Sequence, residues 1–485
     1  MATKLPDYVA SAKPVPLADR IPWYKSTAQT FAGIMLWFVF WHEVPMGSAL
    51  FSGLPYAEHA GGTLAQGLVV ALIGLVLAAL ICHFLFYLVP SLLGMKTGLP
   101  LYIVGTSTYG VIGGFLMPAF LMGVLQFGWV AVNGFFSSLL LCRPFGYEPL
   151  STVHQVVATL WIVAALFVGL KGISYVARVA TFIPLIPLII LLILFFSSVG
   201  GVADFDHETA FADVSGETVT SEESGEERTI KPPLSPLGVI LLLGTYTVGF
   251  FATAGAAGAD FGMNNRDARG VQLGGLVGVA GATVLAGGLA LLIVAGAVGS
   301  GAVEDVGKLQ ATNLMSNVVG ERTGAIFMYL LAIAAFPAAC FASFIAANSF
   351  KTTLPKVNPF VSCGIGGVVA ILLAVTGLAG DATGVFKIIG ASFGPVCGAM
   401  AADYLLAGRK WPGPRAGFNL AGWISWVVGF IVGAADFIPG MAGLVPCPPV
   451  AAFVVGFLLY AGLAQLGLQG QTLEMPTTAE EPAGA

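Results

Sequence analysis

Long apolar runs separated by short polar or charged breaks recur along the whole chain. Runs of about 18 or more such residues are the length that crosses a bilayer as an α-helix. Twelve spans can be drawn, at 27–53, 64–93, 108–141, 153–170, 174–199, 236–263, 270–300, 323–350, 358–379, 384–407, 417–437 and 447–468. They are numbered 1 to 12 in that order. Several exceed the roughly 20 residues that a crossing needs, which predicts tilt or interfacial ends. The polar stretch Met1–Lys25 has no signal-peptide pattern, so span 1 is expected to be a true span. The pattern predicts an all-α polytopic membrane protein.

Two spans are broken. Pro45 and Gly47 interrupt span 1, and Gly255-Ala256-Ala257-Gly258 interrupts span 6. Freed backbone groups find no water in hydrocarbon, so spans avoid such clusters unless the exposed backbone is used. Paired breaks, each in the first span of a five-span half, match an inverted-repeat secondary transporter. Substrate and coupling ion then bind near the midplane, on half-helix ends. The first break also carries His42 and Glu43, where burying charge is costly.

Composition agrees with the spans. The chain is 57% hydrophobic and only 9% charged, with a mean hydropathy of +0.90; a soluble domain carries roughly a quarter charged residues. The 64 glycines suit close helix packing in lipid. The net charge of −5 says little, because the acids gather in one loop and in the tail. With the N-terminus inside, 14 of the 20 Lys and Arg fall on the inner side. Both termini are therefore expected in the cytoplasm of a plasma or bacterial inner membrane. The acidic, Ser/Thr-rich stretch 200–235 is then an outer loop, expected to be flexible. Residues 469–485 read as a short disordered tail.

The remaining chemistry narrows the classes. Cys82, Cys340, Cys363 and Cys397 lie in apolar spans as small hydrophobes, while Cys142 and Cys447 both fall near the outer surface, where a disulfide between them is open. No Cys/His spacing suggests a metal, no phosphate-cradling loop a cofactor, and no basic patch a nucleic acid. No HExxH, GxSxG or paired-Asp motif sits in a span, which disfavours an enzyme. The partners expected are the lipid bilayer, a small-molecule substrate and a coupling ion. Oligomeric state is not legible.

Particular motifs carry a resemblance. Lys96-Thr97-Gly98-Leu99, Tyr109-Gly110-Val111 and Gln126-Phe127-Gly128-Trp129 occur in the first half. Ala259-Asp260-Phe261, followed by Arg266 and Arg269, closes span 6. Span 10 reads G-A-S-F-G-P-V-C-G-A-M-A-A-D-Y from Gly390 to Tyr404, and Gly417-Phe418-Asn419 opens span 11. In this order, from about Phe31 to Leu466, the chain resembles the nucleobase:cation symporter-1 family, the purine–cytosine permease group. The resemblance implies a five-plus-five inverted repeat of the amino-acid/sodium symporter type with two added helices. The segments would be 1–26 (cytoplasmic), 27–199 (first repeat), 200–235 (outer loop), 236–407 (second repeat), 408–468 (spans 11 and 12) and 469–485 (tail). The implied substrate is a nucleobase or related planar heterocycle, of cytosine, purine, hydantoin or allantoin type, carried by alternating access.

The resemblance also implies site residues. Gln126 and Trp129 match positions that hydrogen-bond and stack the base, Asn133 a position where hydantoin-binding relatives place an amide, and Phe251 the second stacking aromatic. An indole offers a flat π-surface, and amides donate and accept at once, as lactam edges require; plain helix packing is the alternative role for each ring. Gly255 would line the site at the span 6 break. The sodium ligands depart from the pattern. Pro337 and Ala338 stand where span 8 should supply two hydroxyls, Ala339 and Cys340 replace the following Asn and Asp, and Ser343 comes a turn late. Hard cations need full oxygen shells, so a proton is favoured over sodium as coupling ion. Glu43, with His42 beside it, is the candidate carrier, since binding a proton removes a buried charge. Glu43 could equally pair with a cationic heterocycle, or hydrogen-bond loose backbone. Asp260 and Asp403 are expected to anchor loops or cap helices. A transport-inactive sensor or a channel of the same fold is the alternative to a transporter.

Overall fold

The structure, a computed structural model, describes residues 5–25, 59–171, 182–183, 185–220, 227–303 and 311–475. Span 1, with His42, Glu43, Pro45 and Gly47, lies outside the described residues. Among those residues nine helices are long and apolar enough to cross a membrane, and two shorter apolar helices accompany them. Spans 2 to 5 are Gly67–Thr97, Thr106–Phe145, Thr152–Lys171 and Leu185–Asp204. Span 6 is Pro236–Ala256, span 7 Ala268–Gly299 and span 8 Glu321–Thr353. Span 10 is Ala382–Leu406 and span 12 Pro448–Gln465, while the two shorter helices, Pro359–Val375 and Leu420–Gly433, are spans 9 and 11.

Local chemistry sets several helix starts. Ser235 accepts from Gly238 N (3.2 Å) with Pro236 in the first turn. Asn358 and Asp381 likewise cap spans 9 and 10, accepting from Phe360 N (2.9 Å) and Gly384 N (2.8 Å). Each satisfies an amide that the helix leaves unpaired. Span 10 is the most enclosed, with 83% of its apolar window buried, and it packs against spans 6, 11 and 12. Large side chains on spans 2, 4, 5, 8 and 9, such as Val69, Leu160, Phe196, Ile333 and Ile365, point outward. Leucine-type side chains facing out around the bundle suit a lipid surround.

Among the described residues, three spans contain a π turn. Span 2 contains a π turn at Cys82–Tyr87, span 3 one at Phe115–Phe120 around Pro118, and span 7 one at Leu276–Gly281. Span 3 is also broken at Gly110, whose φ of 83° and ψ of 163° only glycine adopts readily. The freed amides there are taken up by the connection between spans 10 and 11. Val111 N donates to Arg415 O (2.8 Å) and Ile112 N to Gly417 O (2.9 Å).

The structure differs from the sequence expectations in two connections. The outer loop is not wholly irregular: Asp206 caps a short helix, His207–Ala210, and β1 (Thr218–Thr220) pairs antiparallel with β2 (Glu227–Thr229). Its threonines and valine favour an extended ribbon despite the surrounding acids. The stretch after span 12 is also held. Leu473 N donates to Pro414 O (2.7 Å) and Gly470 N to Asn419 Oδ1 (3.1 Å), so residues 469–475 pack on the span 10–11 connection. All six cysteines are free thiols, so Cys142 and Cys447 do not pair. The Cys447 sulfur lies against Gly244 of span 6 instead.

Candidate functional site

The candidate residues of span 3 sit on the regular helix Leu121–Cys142 that follows its π turn. Spacings of three and four put Gln126, Trp129 and Asn133 on one side. Gln126 is buried, and its amide nitrogen reaches the Met122 sulfur at 3.5 Å, a weak acceptor. Asn133 is more committed. Its Nδ2 donates to Ala335 O of span 8 (2.9 Å), and its Oδ1 accepts from Trp161 Nε1 of span 4 (3.0 Å) and Ser137 Oγ (3.3 Å). An amide carries two N–H donors, so one donor is unused among the described residues, while the other polar capacity joins three spans.

Trp129 is enclosed by rings from two other spans. Phe250 of span 6 meets it edge-on at 4.9 Å and Phe386 of span 10 lies at 5.3 Å. Phe250 and Phe386 are themselves perpendicular at 5.5 Å. Edge-to-face pairs at these separations are favourable beyond their burial. The ring that span 6 offers to Trp129 is therefore Phe250 and not Phe251. Consecutive helical residues point about 100° apart, and Phe251 is buried in the core. Sequence reasoning missed Phe386 as well, since an aromatic in an apolar span carries no signal of which neighbour it meets.

About two turns beyond Phe250, span 6 stops. The helix ends at Ala256, Ala257 turns with ψ near −4°, and a separate turn runs from Gly258 to Gly262. The two glycines let span 2 approach. A Cβ on Gly255 would lie 2.7 Å from Phe86 Cβ, and one on Gly258 2.9 Å from Tyr87 O. The halves of span 6 are thus held on the π turn of span 2. Beyond the break, Asp260 Oδ1 accepts from Leu101 N (3.0 Å) and caps the short helix Leu101–Val104.

Span 8 runs helical through Pro337. Ser343 Oγ donates to its own helix at Ala339 O (2.9 Å). Gly169 of span 4 packs directly on Cys340 and Ser343. The nearest hydroxyl to the expected cation ligands is therefore directed into its own helix, at a contact with span 4.

A second polar cluster lies at the Gly110 break. Asp403 and Arg415 form an ion pair at 2.9 Å with side chains 2% and 6% exposed. Ser107 Oγ (2.8 Å) and Thr108 Oγ1 (3.3 Å) also donate to Asp403 Oδ2. Arg415 Nη1 further donates to Ser107 O and to the Tyr460 hydroxyl, and Asn419 Nδ2 donates to Thr108 O (2.7 Å). Asp403 anchors the broken start of span 3 to spans 10 and 12 and lies apart from the aromatic cluster.

The sequence profile of the family described as permease for cytosine/purines, uracil, thiamine and allantoin matches residues 27–457. The chain belongs to this permease family. Solved structures place the permease in a known fold. An inward-facing structure of Mhp1 superposes with a TM-score of 0.63, at 15% identity over 96% of both chains. Mhp1 in a closed conformation with bromovinylhydantoin bound, described as a nucleobase-cation-symport-1 family transporter, gives 0.59 at 17% identity, again over 96% of both chains. A substrate-bound, outward-open Na⁺-coupled sialic acid symporter gives 0.52 at 16% identity, over 94% of this chain and 92% of that one. No curated protein matches the chain. The permease is thus an integral membrane transport protein that shares the fold of these transporters.

Proposed function

We propose that the permease carries a planar nitrogen heterocycle of nucleobase or hydantoin type by alternating access. The observation that supports this most is the ring cluster of Trp129, Phe250 and Phe386, which lies about two turns from the span 6 break and beside the amides of Gln126 and Asn133. A flat ligand would part the rings, stack on the indole and use amides for its lactam edge. On this reading spans 1 and 6 move against a scaffold that includes spans 3 and 8. Spans 1–5 and 6–10 form the two repeats, spans 11 and 12 are added, and both termini face the cytoplasm. The bromovinylhydantoin bound to Mhp1 is a ligand of the same chemical class.

Trp129→Ala should weaken binding about tenfold, since an aromatic stack adds on the order of 1 kcal/mol beyond burial. Thermal shifts of the purified protein against cytosine, uracil, allantoin and substituted hydantoins measure this directly, because a ligand of the folded state raises its apparent stability. Normal ligand response in a folded Trp129→Ala protein would put the pocket elsewhere.

The coupling ion proposed is a proton, with Glu43 as carrier. The reading rests on the oxygen-poor stretch Pro337 to Cys340 and on Ser343 donating into its own helix. Uptake into vesicles should rise with an inward proton gradient and ignore replacement of sodium by potassium. Glu43→Gln should remove the gradient dependence and spare substrate exchange. Strict sodium dependence without a pH effect would overturn it.

A further inference from the structure

The irregular backbone of spans 2, 6 and 7 gathers around one imidazole. His83 lies in the π turn Cys82–Tyr87 of span 2 and is fully buried. Among the described residues neither ring nitrogen has a hydrogen-bond partner. Buried polar groups are nearly always paired, and an ionisable side chain inside a membrane is costly unless it is used. The ring stacks on Tyr87 at 6.1 Å. Its Nδ1 is pressed on Gly275 of span 7, where a Cβ would stand only 2.4 Å away. The π turn of span 7, Leu276–Gly281, begins at the next residue. The same turn of span 2 meets the span 6 break on its other side, through Phe86 at Gly255 and Tyr87 at Gly258. Such π turns concentrate where helices must change shape for function.

The other titratable groups on the described elements around His83 are accounted for. On its own span, Cys82 donates to Thr247 O of span 6 at 3.7 Å, Tyr87 is the stacking partner, and Lys96 in the last turn donates to Arg409 O at 2.6 Å. Span 6 adds Tyr246, and past its break Asp260, which caps Leu101. Span 7 has Arg269 at its start and no titratable residue from Gly270 to Gly299. Span 10 has Lys387, paired with Asp436, and Cys397, Tyr404 and Asp403, the last held by Arg415. No described carboxylate is paired with His83 in this arrangement. The packed arrangement suits the neutral ring, because a charge there would lack both acceptor and water.

We propose that His83 is a proton-binding site of the transport cycle, distinct from Glu43. When spans 2 and 7 part at their facing π turns, water reaches the ring and a proton passes from solvent to the exposed imidazole nitrogen. Closure returns that proton to solvent, and no other bond is made or broken. Proton binding thereby favours the parted arrangement, and the contacts of Phe86 and Tyr87 carry the change to the span 6 break. The inference rests on the transporter reading, but the site can be tested without a substrate.

The test is a pH jump on the reconstituted permease, recorded as charge displacement on a solid-supported membrane with no substrate present. The external solution is stepped from about pH 8 to about pH 5, the range in which histidine titrates. Wild type should give a transient with a midpoint inside that range. In the Glu43→Gln background, which removes the other proposed carrier, His83→Gln and His83→Phe should both lose it; the second keeps a ring on Tyr87 and so guards against a folding defect. His154→Gln should keep it, because His154 is a static buried histidine bonded to Ser138 Oγ (2.9 Å) and Phe135 O (3.0 Å). Gly275→Ala, which crowds Nδ1 from outside the ring, should shift the midpoint. A wild type without a transient, His83 variants that retain it, or an unmoved midpoint in Gly275→Ala would each overturn the proposal. Uptake of radiolabelled cytosine, uracil and allantoin is measured on the same vesicles. A transient that depends on His83 beside vesicles that take up none of the three would uphold the proton site and count against the substrate reading.

Discussion

Arg415→Ala is expected to destabilise the permease by about 3–5 kcal/mol, the cost of leaving one member of a buried ion pair uncompensated. Asp403 would keep its bonds from Ser107 and Thr108 but lose the guanidinium 2.9 Å away. The same guanidinium donates to Ser107 O of span 3 and to the Tyr460 hydroxyl of span 12. The loss should therefore spread to the contacts of spans 3, 10 and 12 together. Thermal unfolding in detergent, read by gel filtration after heating, gives the size. Asp403→Asn with Arg415→Met should recover much of the stability, because removing both charges also removes their desolvation cost. Equal stability of Arg415→Ala and wild type would mean that water reaches Asp403 and that the cluster is not closed.

Gly255→Leu is expected to abolish transport while the protein still inserts. The site for even a first methyl group lies 2.7 Å from Phe86 Cβ, with span 2 backbone at 3.2 Å. A leucine must wedge spans 2 and 6 apart beside the break or hold them in one arrangement. Interfaces of packed helices respond to such crowding by switching state and not by continuous yielding. Vesicle uptake measured beside surface expression separates the two effects. Uptake at the wild-type rate would show that the span 6 break does not move against span 2.

Much of this was legible in one dimension. Apolar run length identifies spans because the bilayer imposes a length and forbids unpaired backbone. The stretch Gly255 to Gly258 marked the break now seen at Ala257, since glycines close together leave a helix weakly determined. Asp260 and Asp403 were readable as anchors from their places at helix ends. Other features depended on the third dimension. Phe250 and Phe251 are adjacent and chemically identical, and only the rotation of span 6 against span 3 decides which one meets Trp129. Phe386 reaches Trp129 from span 10, in the other half of the chain. Arg415, in a Pro- and Gly-rich connection, reads as one more inner-side charge, yet the fold buries it against Asp403. His83 reads as an ordinary residue of a long apolar span; that its nitrogens find no partner among the described residues, with Nδ1 against Gly275 of span 7, is seen only in the fold. The sequence by itself determined which segments are apolar enough to enter the membrane and that span 6 breaks at its glycines, because those follow from local backbone and solvent physics, whereas the break at Gly110 and the π turns of spans 2, 3 and 7 came only with the structure. Which side chains face one another was decided by the tertiary structure, because helix rotation and register are set by packing between segments far apart in the chain.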